Sequence, residues 1–157
     1  FLFNMLTVLG LYLNEILCRL LQNHEEHLSL YKTYQDTLVA LQGSENTEIT
    51  LRKFELNLLA ELGYAIDLQE DYLTRKPIEK GKRYRFSPDA GFELDNSSET
   101  ENNIDNVFDG SDLIALREFS FNEKTVARSA KRLLRLALRA HLGEKPLHSR
   151  NLFVTAR

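Results

Sequence analysis

In 157 residues the sequence has one cysteine, no tryptophan, three prolines and seven glycines. Each scarcity removes a class of answer. A lone cysteine, Cys18, forms no disulfide within the chain and builds no cysteine-based zinc site, which fits a reducing compartment. With few prolines and glycines, turns are few, and the leucine-rich apolar fraction favours helix. There is no glycine-rich phosphate loop, no Gly-x-Ser-x-Gly elbow and no EF-hand pattern of acids around a central glycine. Carboxylates are plentiful, but none pairs in sequence with a base or a glycine-shaped pocket. No enzyme, cofactor or metal is therefore expected.

Long uninterrupted apolar runs are also missing. The opening FLFNMLTVLGLYLNEILCRLL comes nearest, but Asn4, Asn14, Glu15 and Arg19 break it. That makes a poor membrane span. It lacks the basic start and small-residue cleavage site of a signal peptide. It also lacks an initiator methionine, so the chain is expected to be a piece of a longer protein. At 43% hydrophobic and 27% charged, the length suits one domain with its own core.

The formal net charge is −3, too acidic for a domain that binds nucleic acid over its whole surface. The charge is segregated, however. Residues 89–112 carry eight acids and no Lys or Arg, whereas residues 124–150 carry eight Lys and Arg against one acid, Glu144. Such blocks mark surfaces of opposite preference.

Apolar spacing predicts a mainly α fold, a helical bundle with a small β-hairpin and loop insertion. Three helices are expected in 1–66. The first, over 5–22, buries Leu6, Leu9, Leu13, Ile16, Leu17 and Leu20. The second, over 28–42, buries Leu30, Tyr34, Leu38 and Leu41. The third, over 48–62, buries Leu51, Phe54, Leu58 and Leu62, with Thr47 as N-cap and Gly63 as stop. Residues 67–110 form the insertion, where YRFSPDAGFEL (84–94) reads as two strands around a turn. The acidic, Asn-rich stretch 95–110 reads as a mobile, solvated loop. Residues 111–157 complete the domain. They comprise a short helix capped by Ser111, a long helix from a Ser120/Glu123 capping box to Leu142, and a tail.

The long helix has Val126, Ala130, Leu133, Ala137 and Leu138 on one face and Arg128, Lys131, Arg132, Arg135 and Arg139 on the other. The basic face is either a solvated exterior or a stripe that meets phosphate or an acidic partner. A second feature lies in LRKFELNLLAELGYAIDL (51–68), where Arg52 and Lys53 border an apolar face. A cationic lip over an apolar groove suits a short acidic peptide with a hydrophobic end, although most amphipathic helices carry such border cations. His24 and His27 have a metal-clamp spacing but no third ligand nearby, so they read as surface residues.

GLYLNEILCRLL (10–21), LRKFELNLLAELGYAIDL (51–68) and HLGEKPLHSRNLF (141–153) together, in this order and spacing, resemble the bacterial DNA repair protein family RecO. The resemblance implies a helical domain that in the family follows an oligonucleotide-binding barrel. It implies a cytoplasmic, nucleoid-associated recombination mediator that is not an enzyme and that binds single-stranded DNA. The implied work, with RecR and possibly RecF, is to load RecA onto strands coated by single-stranded-DNA-binding protein, and to anneal strands. In some members the helical domain docks the acidic, Phe-ended tail of that coating protein. By this match Arg52 and Lys53 form the cationic lip, and Leu51, Phe54, Leu58 and Leu59 the groove wall. Some members hold zinc through four cysteines in the insertion. Residues 67–110 here have none, so the hairpin is expected to be held by packing alone, with Tyr84, Phe86, Phe92 and Leu94.

Lys145, Ser149 and Arg150 belong to the recurring tail. Either they face nucleic acid beside the basic helix, or they tie the tail back to the domain. His148 stands where the family often has lysine, so charge there depends on pH. The candidate nucleic-acid set is thus Arg128, Lys131, Arg132, Arg135, Arg139, Lys145 and Arg150. The competing reading is a helical domain that makes protein contacts only.

Overall fold

The computed structural model describes residues 2–21, 27–43, 46–97, 105–121 and 123–155. Among these the order is α1 (Leu2–Leu20), α2 (Leu28–Gly43), α3 (Thr47–Glu61), β1 (Arg83–Ser87), β2 (Gly91–Leu94), β3 (Val107–Asp109), α4 (Gly110–Arg117), α5 (Lys124–Leu142) and α6 (His148–Thr155). The fold is mainly α, as the spacing predicts. His24 and the middle of the acidic stretch, 98–104, lie outside the described residues.

Two apolar clusters fill the interior. One joins α1, α2 and α3 through Leu13, Ile16, Leu30 and Phe54, and takes in Leu147 from the tail. The other joins the sheet, α4 and α5 through Phe92, Phe108, Leu113, Leu133 and Leu134. α3 stitches them together: Leu58 belongs to the first and Leu59 to the second, and neither has any exposed surface. The helix ends in a Schellman motif. Tyr64 N–H donates to Leu59 O at 2.7 Å and Gly63 N–H to Ala60 O at 3.1 Å, with Gly63 at φ +82°.

The insertion is a three-stranded antiparallel sheet in the order β2-β1-β3. Tyr84 pairs with both Leu94 and Phe108, so inward aromatics face one side. The hairpin is present as expected, but packing is not its sole support. The buried carboxylate of Asp71 accepts hydrogen bonds from the backbone N–H of Leu73, Thr74 and Leu94, at 2.8, 2.8 and 2.7 Å. Asp95, whose side chain is 2% exposed, pairs with Arg83 at 3.1 Å and Arg85 at 3.0 Å. The stretch 95–110 is therefore not a loop throughout. Its beginning is pinned by Asp95, and its end forms β3.

Three predicted caps differ. α3 is capped by Asn46, whose side chain accepts from Ile49 N–H at 3.2 Å, and Thr47 is already helical. α4 starts at Gly110, ahead of Ser111, because strand β3 runs directly into it. Ser120 does not cap α5, whose N-cap is Glu123. Ser120 is occupied in the turn that ends α4, where its N–H donates to Ala115 O at 2.9 Å and Phe119 adopts φ +52°.

Candidate nucleic-acid interface

α5 is the backbone of the site. Val126, Ala130, Leu133, Ala137 and Leu138 are buried, which turns the arginine face outward. The five basic residues of that face have three fates. Arg132 reaches across to β3: its Nη2 donates to Val107 O at 2.5 Å, and its guanidinium lies 4.4 Å from the Phe108 ring centroid. Lys131 pairs with Glu48 of α3 at 3.6 Å, an exposed pair of little energetic weight. Arg128, Arg135 and Arg139 are exposed.

The tail folds back beside this face, held by α1. The Glu15 carboxylate accepts hydrogen bonds from His148 N–H and Ser149 N–H, both at 2.8 Å, and from Ser149 Oγ–H at 2.7 Å. These are free donors at the start of α6, where a negative charge is favoured. Burial acts to raise the Glu15 pKa, but the hydrogen bonds from Ser149 and His148 outweigh it and hold the carboxyl below its ordinary range. One turn further along α1, Arg19 donates to Lys145 O at 2.8 Å, Leu142 O at 3.2 Å and Pro146 O at 3.3 Å. The guanidinium thus satisfies the last carbonyl of α5, where positive charge is favoured, and two carbonyls of the reversal that follows. Gly143, at φ +75°, makes the reversal between the helices.

This fold-back creates a cleft of about 440 Å³ between α5 and the tail. Arg132, Arg135, Arg139, Lys145 and Arg150 line it, five of the seven basic residues singled out from the sequence. Its apolar lining comes from Leu136, Leu142 and Leu147, and its acids are Asp105 and Glu144. Arg128 and Lys131 lie outside the cleft lining. The two readings of the tail divide by residue. Ser149 ties the tail to α1, whereas the Lys145 and Arg150 side chains are exposed at the cleft.

The second predicted site looks different in three dimensions. Leu51, Phe54, Leu58 and Leu59 are all core residues, none more than 6% exposed, so they form no open groove wall. Arg52 pairs at 2.8 Å with Glu55, a fully buried carboxylate that also accepts a short hydrogen bond from Tyr12 Oη–H. Burial raises the Glu55 pKa above its ordinary value, against the downward pull of Arg52, Tyr12 and Arg150. Burial likewise raises the Tyr12 phenol, followed by the charge of Glu55. Of the predicted lip, Lys53 alone is exposed.

Residues 6–151 match the family model described as Recombination protein O C terminal. The chain belongs to the RecO family. It is 41% identical over 145 residues to the DNA repair protein RecO of Psychromonas ingrahamii, an alignment covering 92% of this chain and 61% of that protein. It is 43% identical to the RecO of Coxiella burnetii over 91% of this chain and 60% of that protein. For the RecO of Pseudomonas putida the figures are 43%, 92% and 61%. This RecO-family chain thus spans about three fifths of the length of the curated relatives it matches. Among its described residues no helix is long and apolar enough to cross a membrane.

The buried and bridging contacts that the sequence pattern does not reveal come mostly from polar residues inside apolar helices. Tyr12, Glu15 and Arg19 fall in a stretch whose leucines dominate the pattern. Their signal is nevertheless present: two opposite charges four residues apart on a helix that buries most of its neighbours. Glu55 is hidden inside the Arg-Lys-Phe-Glu-Leu block, and Asp71 belongs to no pattern.

Proposed function

We propose that this chain is the helical part of a non-enzymatic DNA repair and recombination mediator, and that its cleft between α5 and the tail holds the backbone of single-stranded DNA. The observation that carries this reading is the convergence of Arg135, Arg139, Lys145 and Arg150 on one concavity. Cations gathered along a groove release counterions from phosphates, the main source of affinity for single strands. Leu136, Leu142 and Leu147 give the cleft an apolar side against which an unstacked base can rest. The names of the relatives support the repair role. Action alongside RecR and RecF in RecA loading, strand annealing and residence at the nucleoid belong to the same proposal.

The test is fluorescence anisotropy of a labelled oligo-dT with full-length protein across a salt series. Arg135→Glu with Arg139→Glu is expected to weaken binding and to flatten the dependence of log K on log salt by roughly 1.4, about 0.7 for each phosphate no longer neutralised. An unchanged slope refutes the cleft. Arg132 is left intact because it anchors β3.

A second ligand is proposed for the same chain, the acidic, Phe-ended tail of the single-stranded-DNA-binding protein, with Arg52 and Lys53 as its cationic lip. Lys53 is exposed for this role. The burial of Leu51, Phe54, Leu58 and Leu59 moves the apolar part of such a contact elsewhere, and the cleft offers a cationic rim beside apolar side chains. Competition between the labelled peptide and oligo-dT places the two ligands together. Independent binding that is lost on Lys53→Glu places the peptide at α3. If the chain makes protein contacts only, it passes through a heparin column at low salt.

A further inference from the structure

We propose that Glu15 and Arg19 of α1 are positioning residues for the nucleic-acid cleft, setting where Lys145 and Arg150 stand although α1 lines none of it. The inference rests on the cleft reading above and adds the device that holds its second wall.

The two walls of the cleft differ in kind. Arg135 and Arg139 project from a regular helix whose opposite face is core, so their positions follow from α5 alone. Lys145 sits on the chain reversal between α5 and α6, where regular hydrogen bonding stops, and Arg150 in the first turn of α6 just beyond it. Two local backbone bonds are present there, Gly143 N–H to Arg139 O and Arg150 N–H to Leu147 O, both 3.2 Å. Further ties run to α1 and are divided by polarity. Arg19 takes three carbonyls, those of Leu142, Lys145 and Pro146. Glu15 takes three donors, the N–H groups of His148 and Ser149 and the Ser149 hydroxyl.

One carbonyl that Arg19 holds belongs to Lys145 itself, and one donor that Glu15 holds immediately precedes Arg150. Each rim cation of the tail is therefore no more than one residue from an anchor on α1. Arg19 and Glu15 are 3.9 Å apart and 22% and 17% exposed, so each steadies the other. Leu147, 3% exposed, seats the reversal in the α1–α3 core between the two anchors. A loop pinned at both ends and seated in the middle presents its cations at fixed separation from those of α5. That preorganisation is what phosphate binding on two walls requires.

The prediction is a coupling. In full-length protein, Arg19→Ala is expected to flatten the oligo-dT salt slope by roughly 1.4, equivalent to about two phosphates no longer neutralised. Lys145→Ala with Arg150→Ala is expected to do the same, and the triple variant to lose no more than either. Arg135→Ala with Arg139→Ala is expected to add fully to Arg19→Ala. Arg19→Lys, which keeps the charge but has no fork to span three carbonyls, is expected to fall between wild type and Arg19→Ala. It also serves if Arg19→Ala folds poorly by circular dichroism, because a fully wild-type slope in Arg19→Lys then overturns the proposal. Full additivity of Arg19→Ala with the Lys145/Arg150 pair overturns the positioning role while leaving the cleft standing. A wild-type slope in the Lys145/Arg150 variant removes the cleft's tail wall and the positioning role with it.

Discussion

Arg52→Ala is expected to unfold the chain more easily before it says anything about a partner. Arg52 is the charge that compensates Glu55, which has no exposed surface and lies between α1 and α3. Removing one partner of a buried pair leaves a charge with neither water nor counterion, at a cost of about 3–5 kcal/mol. For a domain of this size that is a loss of roughly 6–20 °C in Tm. The deficit has a definite dependence on pH. In the intact protein burial already holds the Glu55 carboxyl above its ordinary pKa, with Arg52 the strongest opposing influence and Tyr12, Arg150 and Lys131 behind it. Without Arg52 the folded-state pKa climbs further above the unfolded value. An acid shifted upward by folding takes up its proton in the native state first, so relative stability rises as pH falls. The Arg52→Ala deficit is therefore largest at neutral pH and shrinks on acidification, and Glu55→Gln in the same background restores part of it. Urea unfolding followed by circular dichroism from pH 5 to 8 measures this. A deficit under about 1 kcal/mol at pH 7, or one that grows on acidification, refutes the argument. The consequence for any peptide-binding assay is direct: lost affinity in Arg52→Ala is to be compared with Lys53→Ala, whose side chain is exposed.

Two glycines should respond in opposite directions. A Cβ at Gly110 would lie 2.1 Å from Glu79 O, so Gly110→Ala is expected to cost about 1–3 kcal/mol or more, whereas Gly10, mid-helix with nothing within 4 Å, should gain roughly 0.5–1 kcal/mol as alanine, both read by thermal melts. Asp95 has its pKa lowered to about 2: burial acts upward, but hydrogen bonds from Ser97, Arg85 and Arg83 prevail. Its contribution, roughly 2 kcal/mol, is present above the ordinary carboxylate pKa and lost as pH falls towards 2. Asp95→Asn should therefore destabilise at pH 7 and make little difference near pH 2, and equal deficits at both would refute the assignment.

The helices are legible in the sequence because their apolar residues repeat at the helical period, and burial follows that period at Leu9, Leu13 and Ile16 and at Val126, Ala130 and Leu133. The hairpin is legible from its turn residues. The basic face of α5 is legible as a face, but not its division. Only the fold shows that Arg132 belongs to β3, because Val107 and Phe108 lie some 25 residues away and their strand has three residues, too few for a pattern. The groove expected at Leu51, Phe54, Leu58 and Leu59 fails for a related reason. In sequence those positions make one stripe with an open edge, while in the fold α3 is covered by apolar neighbours on two sides and buries both. Caps fail where two helices or a strand and a helix abut, since a neighbour's needs decide the role of Ser111 and Ser120. The α1 clamp escapes because its partners, the Ser149 hydroxyl apart, are backbone atoms more than a hundred residues distant, which no side-chain pattern encodes.

The Asp71 turn changes what kind of stress the insertion can withstand. A ribbon closed by thiolates around a metal opens when an oxidant reaches its sulfurs or a chelator takes its ion. Here the same stretch is closed by a carboxylate that gathers Leu73, Thr74 and Leu94, with Asp95 and two arginines as a second fastening. Neither oxygen of a carboxylate is open to mild oxidation. Burial acts to raise the Asp71 pKa, and the N–H bonds from Thr74, Leu94 and Leu73 bring it below the ordinary range, so the fastening survives moderate acid as well. These two fastenings are thus contacts of carboxylate with N–H and guanidinium groups, which a chelator or a mild oxidant leaves in place.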